Sequence, residues 1–367
     1  MSRLGPYNQR QIDGDFVLTE LQKIYKKINP GFKLTPRYNA FGDSYGAGDR
    51  PVSWVNELNN ILGTVANNQC VSGGTIIEMA ILNANGIRNN VALFNNPDFD
   101  CSTICMHGVN DSRNTNPFFN YYPNYYNTAL ASYLLASIPQ SGLLMGVEGT
   151  VVSGTWSDGT LLSDKRTSEI NAKLSAQLSG RFLAFFYLVK GDTGAEVENN
   201  NNPWKISVDG VLESDITKNY YVTMGNANGF YMGVRVIDTR IPKTTKLLLV
   251  ENMDTMVNTK FVMGFGGWDA DSPLARNVLV LTPTITNGLN ITNGADLGEA
   301  VEFDAKHLRQ KNAQIAAVRM CQSLGLPVFI HDTPYETEYS SDALHLNLNG
   351  IKALATKIVP SIGSFST

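Results

Sequence analysis

Histidine and cysteine are scarce in this chain, at four residues each in 367. That leaves few groups able to act as a base near neutral pH, to hold a metal or to form a disulfide. Cys101 and Cys105 have no second Cys or His pair at zinc-ligand spacing to complete a site with them. Asp269 and Asp271 are two carboxylates without the further oxygen ligands that calcium needs. No metal and no cofactor is therefore expected. Cys101 and Cys105 fall on one face of a strand-like run, about 13 Å apart at ~3.3 Å per residue, and cannot pair without breaking that strand. Cys70 and Cys321 lie in apolar segments. All four read as free thiols packed as small hydrophobes, which suits folding in a reducing compartment. The longest strong apolar run, Phe182–Val189, is bounded by Arg181 and Lys190 and is too short to span a bilayer. The N-terminal MSRLGPYNQRQIDGD lacks the apolar core of a signal peptide. That leaves a cytoplasmic location or an extracellular one reached by another route, such as a virion. Lys and Arg are scattered and the net charge is −4, so no nucleic-acid footprint is present. Hydrophobic residues at 43% and charged residues at 17% describe a soluble globular protein, and the length suits two domains. The sequence does not set an oligomeric state.

Three short strings stand out against this background. They are Gly42-Asp43-Ser44, Gly108-Val109-Asn110-Asp111 and Asp342-Ala343-Leu344-His345. Any one of them is weak alone, since a given Gly-Asp-Ser is expected roughly 0.1 times in a chain this long. Their context carries more. Tyr38–Phe41 reads as a strand stopping at Gly42, with a helix from Ser53 after it. Ile104–Met106 is a strand ending at Gly108, and Pro327–Ile330 a strand followed by the loop to Asp342. In open α/β sheets, ligands sit at the carboxyl ends of strands. Together the strings supply a serine, two hydrogen-bond-donating segments and an Asp/His pair, the parts for ester hydrolysis through an acyl-enzyme.

Strand and helix alternate to about Gln140, with a strand end and turn at Asn68–Thr75, a strand at Asp100–Met106 and a helix from Pro123 to Ile138. Such alternation predicts a parallel sheet with helices on both faces. From Ser141 to about Ser272 the runs are short and β-type: Leu143–Val152, Phe182–Val189, Trp204–Val208, Tyr220–Met224, Tyr231–Val236, Lys246–Val250 and Lys260–Gly264. Turn clusters such as GDTG, ENNNNP and GGWDADSP separate them, which predicts a β-sandwich. Alternation then resumes with a strand at Val278–Pro283, a helix at Asp304–Leu324 striped by Leu308, Ile315, Val318 and Leu324, a strand at Val328–Ile330 and a helix at Asn349–Ile358. The expected organisation is an α/β domain in two pieces, 37–141 and 274–367, interrupted by an inserted β domain, 142–273, and preceded by a leader, 1–36, that packs on the surface or links to something upstream.

These residues resemble the SGNH hydrolases, or GDSL-like esterases, which carry four sequence blocks. Gly42-Asp43-Ser44 is similar to the first, Val71-Ser72-Gly73-Gly74-Thr75 to the second, Gly108-Val109-Asn110-Asp111 to the third and Asp342-Ala343-Leu344-His345 to the last. The resemblance implies a three-layer α/β/α flavodoxin-like fold. It implies that Ser44 is the nucleophile, that Asp342 and His345 complete a triad, and that Ser44, Gly73 and Asn110 form the oxyanion hole. Asn347 and Gly350 also resemble residues after the family's His. Leu346 stands where Pro is common, the first block reads GDSY, and Cys70 replaces a Gly that precedes the family's Ser-Gly. The inserted block resembles the jelly-roll carbohydrate-binding domains of some members.

A serine hydroxyl needs a base in hydrogen-bond reach, and imidazole titrates near working pH. An aspartate would hold its tautomer, and a glycine at the second oxyanion position permits close approach. Among the other histidines, His107 abuts the third block, His331 lies beside Asp332 near a strand end, and both are candidates to line the pocket. His307 reads as a surface residue of its helix. Trp156, Trp204 and Trp268 are candidates for stacking on sugar or for core packing, with Trp268 a candidate substrate contact. The expected function is a serine esterase removing small acyl groups, chiefly acetyl, from a carbohydrate. The alternatives are a lipid-ester or thioester hydrolase, and a catalytically dead polysaccharide-binding or virion adhesion protein. An active deacetylase on a bacteriophage tail fibre would combine two of these ideas.

Overall fold

The structure is a computed structural model, and the residues described are 32–48, 52–80, 101–112, 122–159, 164–190, 204–212, 230–253, 259–273, 275–283, 300–333 and 345–363. The first part of the chain forms strands β1 (Phe32–Lys33), β2 (Arg37–Gly42), β3 (Val65–Asn68) and β4 (Ser102–Met106). Helices α1 (Trp54–Leu62), α2 (Ile76–Ala80) and α3 (Tyr122–Ser137) lie among and after them. Strands β5 (Leu143–Met145), β6 (Thr150–Ser153), β7 (Ser157–Asp158), β8 (Lys165–Thr167), β9 (Lys173–Ser179) and β10 (Phe182–Lys190) follow. Next are β11 (Trp204–Val208), β12 (Val211–Leu212), β13 (Phe230–Asp238), β14 (Thr245–Asn252) and β15 (Lys260–Trp268). The chain closes with β16 (Val278–Pro283), α4 (Ala300–Ser323), β17 (Val328–Thr333), α5 (Leu348–Ile358) and β18 (Ile362–Gly363).

The strands that carry the three strings pair in parallel, in the order β17-β16-β4-β2-β3. Counted along the chain within this sheet, that is order 2-1-3-4-5, the doubly wound arrangement whose ligand crevice opens between the first and third strands. Here those strands are β2 and β4, which end at Gly42 and Met106. Side chains alternate across the sheet, as a period of two requires. Tyr38, Ala40, Ile104, Met106, Leu279 and Leu281 face α1 and α5. Phe41, Cys105, Val278 and Val280 share a core with α3 and α4. Local sequence sets the helix ends. Ser53 caps α1 by accepting from Asn56 N–H at 3.2 Å, and Gly63, at φ 65°, closes it in the left-handed conformation.

The β-rich stretch forms two antiparallel sheets, β13-β10-β15-β8-β7 with β5 beside β15, and β12-β11-β14-β9-β6. Residues of both sheets and of α3 belong to one buried cluster. The first sheet is thus covered on both faces, so β10 reads FLAFFYLVK without alternation and every residue of β15 is buried. Glycines permit the close layering, since a Cβ on Gly266 would stand 3.0 Å from Ile138 Cδ1 and one on Gly267 2.6 Å from the Ser179 carbonyl. Helix α3 carries no charged residue, and its described side chains are buried apart from a half-buried Tyr126, as expected of a helix without a polar face. Its two serine hydroxyls are satisfied locally: Ser132 donates to the Thr128 carbonyl at 2.8 Å and Ser137 to that of Tyr133 at 2.7 Å. Buried Arg276 closes its C-terminal end by donating to the carbonyls of Ile138 and Leu135.

Several sequence expectations change. Leu143–Val152 is two strands and not one, because the chain crosses between sheets there: β5 pairs with β15 and β6 with β9. The turn at Gly146 needs its glycine, since a Cβ would lie 2.0 Å from the Val262 carbonyl. Strand β9 was not expected, although Leu174, Ala176 and Leu178 are its alternating buried residues. Strand β15 runs on through GGW to Trp268, where the glycines read as a turn. Tyr220–Met224 lies outside the described residues. Residues 32–36 do not form a surface leader, for Phe32 and Leu34 are fully buried, Phe32 packs edge-on against Phe329, and β1 pairs with β18. The expected α4 stripe is right at Val318 and Leu324, which are buried, and wrong at Leu308, which is 57% exposed. The rest of the buried face holds His307, Gln310, Ala313, Gln314, Ala317 and Cys321.

Candidate active site

The first string is a tight turn at the end of β2. Asp43 Oδ1 accepts from Tyr45 N–H at 3.1 Å, and the Asp43 carbonyl accepts from Gly46 N–H at 3.1 Å. This side-chain-stabilised turn places Ser44 at its tip. The turn is tied to its surroundings by Trp54 N–H, which donates to the Tyr45 carbonyl at 3.0 Å, and by the Asn68 amide, which donates to the Gly46 carbonyl at 2.8 Å. Gly42 allows β4 to approach, since a Cβ there would stand 2.9 Å from the Met106 carbonyl.

His345 Nε2 lies 3.0 Å from Ser44 Oγ, across 301 residues of sequence. Its position follows from α5, whose N-cap is Asn347: the Asn347 side chain accepts from Gly350 N–H at 3.0 Å. The Asn and Gly of HLNLNG therefore start the helix that holds the histidine in place. The Tyr45 ring sits 6.0 Å from the His345 ring, centroid to centroid. Asp342 lies outside the described residues.

The second and third blocks close on the first. Val71 N–H donates to the Gly42 carbonyl at 3.0 Å, and Gly73 takes a left-handed φ of 78°. Gly74 is pressed against the turn: a Cβ on it would lie 2.8 Å from the Gly42 carbonyl and 3.6 Å from Asp43 Cα. Asn110 Nδ2 donates to the Gly74 carbonyl at 3.1 Å, and Asp111 Oδ1 accepts from Ile76 N–H, at the start of α2, at 3.1 Å. Ser44, Gly73, Asn110 and His345 are thus gathered at the carboxyl ends of β2 and β4. Sequence reasoning singled out Gly73 and missed the packing role of Gly74. The doubled glycine was the only local sign of it.

The other candidates fall elsewhere. His331 Nδ1 is engaged with Ser361 Oγ at 2.5 Å, on the far strand β17. His107 is 4% exposed, and burial pushes its imidazole down to about 3, so it stays neutral in the interior. His307 is not a surface residue. It is buried, with Nδ1 3.4 Å from Ser112 Oγ. Trp268 is 2% exposed, stacks on Phe182 and donates its Nε1–H to the Leu324 carbonyl at 3.0 Å, so no ring face is open to a sugar. Trp204 is likewise core, and the half-buried Trp156 stacks on it. Asp269 organises a turn by accepting from Arg181 N–H at 2.8 Å and Lys243 N–H at 3.2 Å. No disulfide joins any of the four cysteines. Among the described residues no cluster of three His, Cys, Asp or Glu could hold a metal, and no helix is long and apolar enough to cross a membrane.

Burial pushes the Asp43 carboxyl up to about 7, against the lowering effect of its bond from Tyr45 N–H. The unfolded value is near 3.9. Between those values the native state holds the proton and the unfolded chain does not, so this group makes stability fall as pH rises from ~4 to ~7. Asp43→Asn cannot titrate. The melting temperature of that variant relative to the parent is expected to increase steadily over this window in thermal melts, by the equivalent of a few kcal/mol at most. A difference independent of pH would mean that Asp43 is ionised in the fold. The buried His107 works with the opposite sign below pH ~6.5, but it is common to both proteins and cancels.

No protein-family model matches the chain, and no curated protein matches it. Solved structures similar to it include the hemagglutinin-esterase of infectious salmon anemia virus, at 12% identity and TM-score 0.34, covering 90% of this chain and 80% of that one. A two-domain esterase active on acetylated mannans matches at 12% identity and TM-score 0.30, over 68% of this chain and 94% of that one. A family two carbohydrate esterase from Cellvibrio japonicus matches at 10% identity and TM-score 0.22, over 59% and 96%. Overlap at this level is partial, and the reading of the site rests on its own geometry.

Proposed function

We propose that this protein is a serine esterase that removes small acyl groups, acetyl foremost, from a carbohydrate. The observation that carries the reading is the 3.0 Å contact between His345 Nε2 and Ser44 Oγ at the crevice of a doubly wound sheet. His345 takes the Ser44 proton as Oγ attacks the ester carbonyl, and returns it to the departing sugar oxygen. Water then repeats the attack on the acyl-enzyme with His345 as base and frees the acid. The oxyanion of each step is met by donors from three segments: the N–H groups of Ser44 and Gly73 and the amide of Asn110. Asp342 holds the imidazole tautomer. In this reading 37–141 and 274–367 make one hydrolase unit, and the inserted block, 142–273, docks the glycan as a β-sandwich.

The test is acetate release from a panel of O-acetylated polysaccharides, beside hydrolysis of p-nitrophenyl acetate. Acetate release from at least one glycan is expected, with surface substitutions in 142–273 weakening activity on polysaccharide and not on the small reporter. Cleavage of long-chain acyl esters with no acetate from any glycan would move the assignment to lipid esters.

A further inference from the structure

A second set of buried polar side chains lies behind the third block, Gly108–Asp111. His307, Gln310 and Gln314 occupy one face of α4 at i, i+3 and i+7. They are 9%, 1% and 2% exposed. A helix face inside a core is ordinarily apolar, and a buried amide costs free energy unless it is bonded. Both Nε2 groups are bonded to the same short stretch, although Gln314 Oε1 has no partner among the described residues. Gln310 Nε2 donates to the Asp111 carbonyl at 2.6 Å, and its Oε1 lies 2.6 Å from the Ser112 hydroxyl. Gln314 Nε2 donates to the His107 carbonyl at 3.0 Å and meets the Tyr125 hydroxyl at 2.6 Å. One glutamine therefore holds the start of 107–112 and the other holds its end. Asn110 lies between them, tied on its far side to the Gly74 carbonyl. No apolar side chain could hold two carbonyls at fixed distance in this way.

We propose that Gln310 and Gln314 are positioning residues, which set the Asn110 amide at the height where an oxyanion forms. This rests on the esterase reading of the site. A displacement of about 1 Å in a group that supports the reaction costs up to ~10² in rate. Gln310→Ala is accordingly expected to lower kcat on p-nitrophenyl acetate about 10–100-fold with KM within about twofold. In an Asn110→Ala background the same substitution should cost less than about threefold, because the donor it positions is gone. Equal losses in both backgrounds would mean plain packing and would overturn the proposal.

Gln310→Glu covers the case in which the alanine variant fails to fold. A protonated carboxyl can donate to the Asp111 carbonyl and accept from Ser112, whereas a carboxylate cannot donate. The kcat of this variant, as a ratio to the parent, should fall as pH rises through the raised pKa of a buried carboxyl. The titratable groups around the position, His307, Asp111, His107 and Tyr125, are present in both proteins and cancel in the ratio. A ratio that does not change with pH overturns the proposal. Ser44→Ala run alongside separates the two readings. If it keeps full activity, the esterase reading fails. If it is inactive while both Gln310 variants keep the parent kcat, the positioning proposal alone fails.

Discussion

Ser44→Ala is expected to lower kcat for p-nitrophenyl acetate on the order of 10⁴-fold or more, with the fold and melting temperature almost unchanged. The hydroxyl removed is the atom that His345 Nε2 approaches at 3.0 Å, and Ser44 sits at the tip of a turn held by backbone and Asp43. Alanine keeps that turn, because none of its hydrogen bonds uses the serine hydroxyl. His345→Ala should cost nearly as much. The double variant should be no worse than the worse single one, since a nucleophile and its base act as a unit. Additive losses would mean that the two residues serve separate steps. Full activity in Ser44→Ala would remove serine catalysis from consideration. Labelling gives an independent reading: a fluorophosphonate should add to Ser44 in the parent and to no residue in the variant.

Asn110→Ala is expected to reduce kcat about 10²–10³-fold with little change in KM, the loss typical of one oxyanion donor. The structure gives this substitution a second consequence. The amide also bonds the Gly74 carbonyl at 3.1 Å and so links the third block to the second. Asn110→Asp separates the two contributions. An aspartate has the size of asparagine, but as a carboxylate it cannot donate to Gly74 and would repel the oxyanion. Its kcat should fall below that of the alanine variant. An increase in KM at unchanged kcat in either variant would place Asn110 in ground-state binding.

The parallel sheet was legible because its strands are short apolar runs that end at Gly42 and Gly108, and because Ser53 and Gly63 mark the ends of α1 within the sequence itself. Ser44, Asn110 and His345 were legible as residue types in short strings. Other features depend on neighbours that the local pattern does not reveal. Strand β9 alternates Leu174, Ala176 and Leu178 among polar residues, and its weak apolar character matters only because β14 pairs with it. His307 reads as a surface histidine because a charged helix surrounds it. It is buried because Ser112, 195 residues earlier in the chain, folds against it. Trp268 reads equally as a sugar platform or as core, and Phe182 and the Leu324 carbonyl, which enclose it, make it core.

Residue order alone was enough to show the chemistry on offer: one serine at the end of a strand, one histidine before a helix cap, and an asparagine two residues after a glycine. Those depend on residue identity and on neighbours within a few positions. It took the folded chain to bring Ser44 and His345 together, to join the second and third blocks through Gly74 and Asn110, and to set two glutamines of α4 behind the third. Each of these is a contact between segments far apart in the chain, set by how sheet and helix layers pack. Residue order alone does not determine such distances.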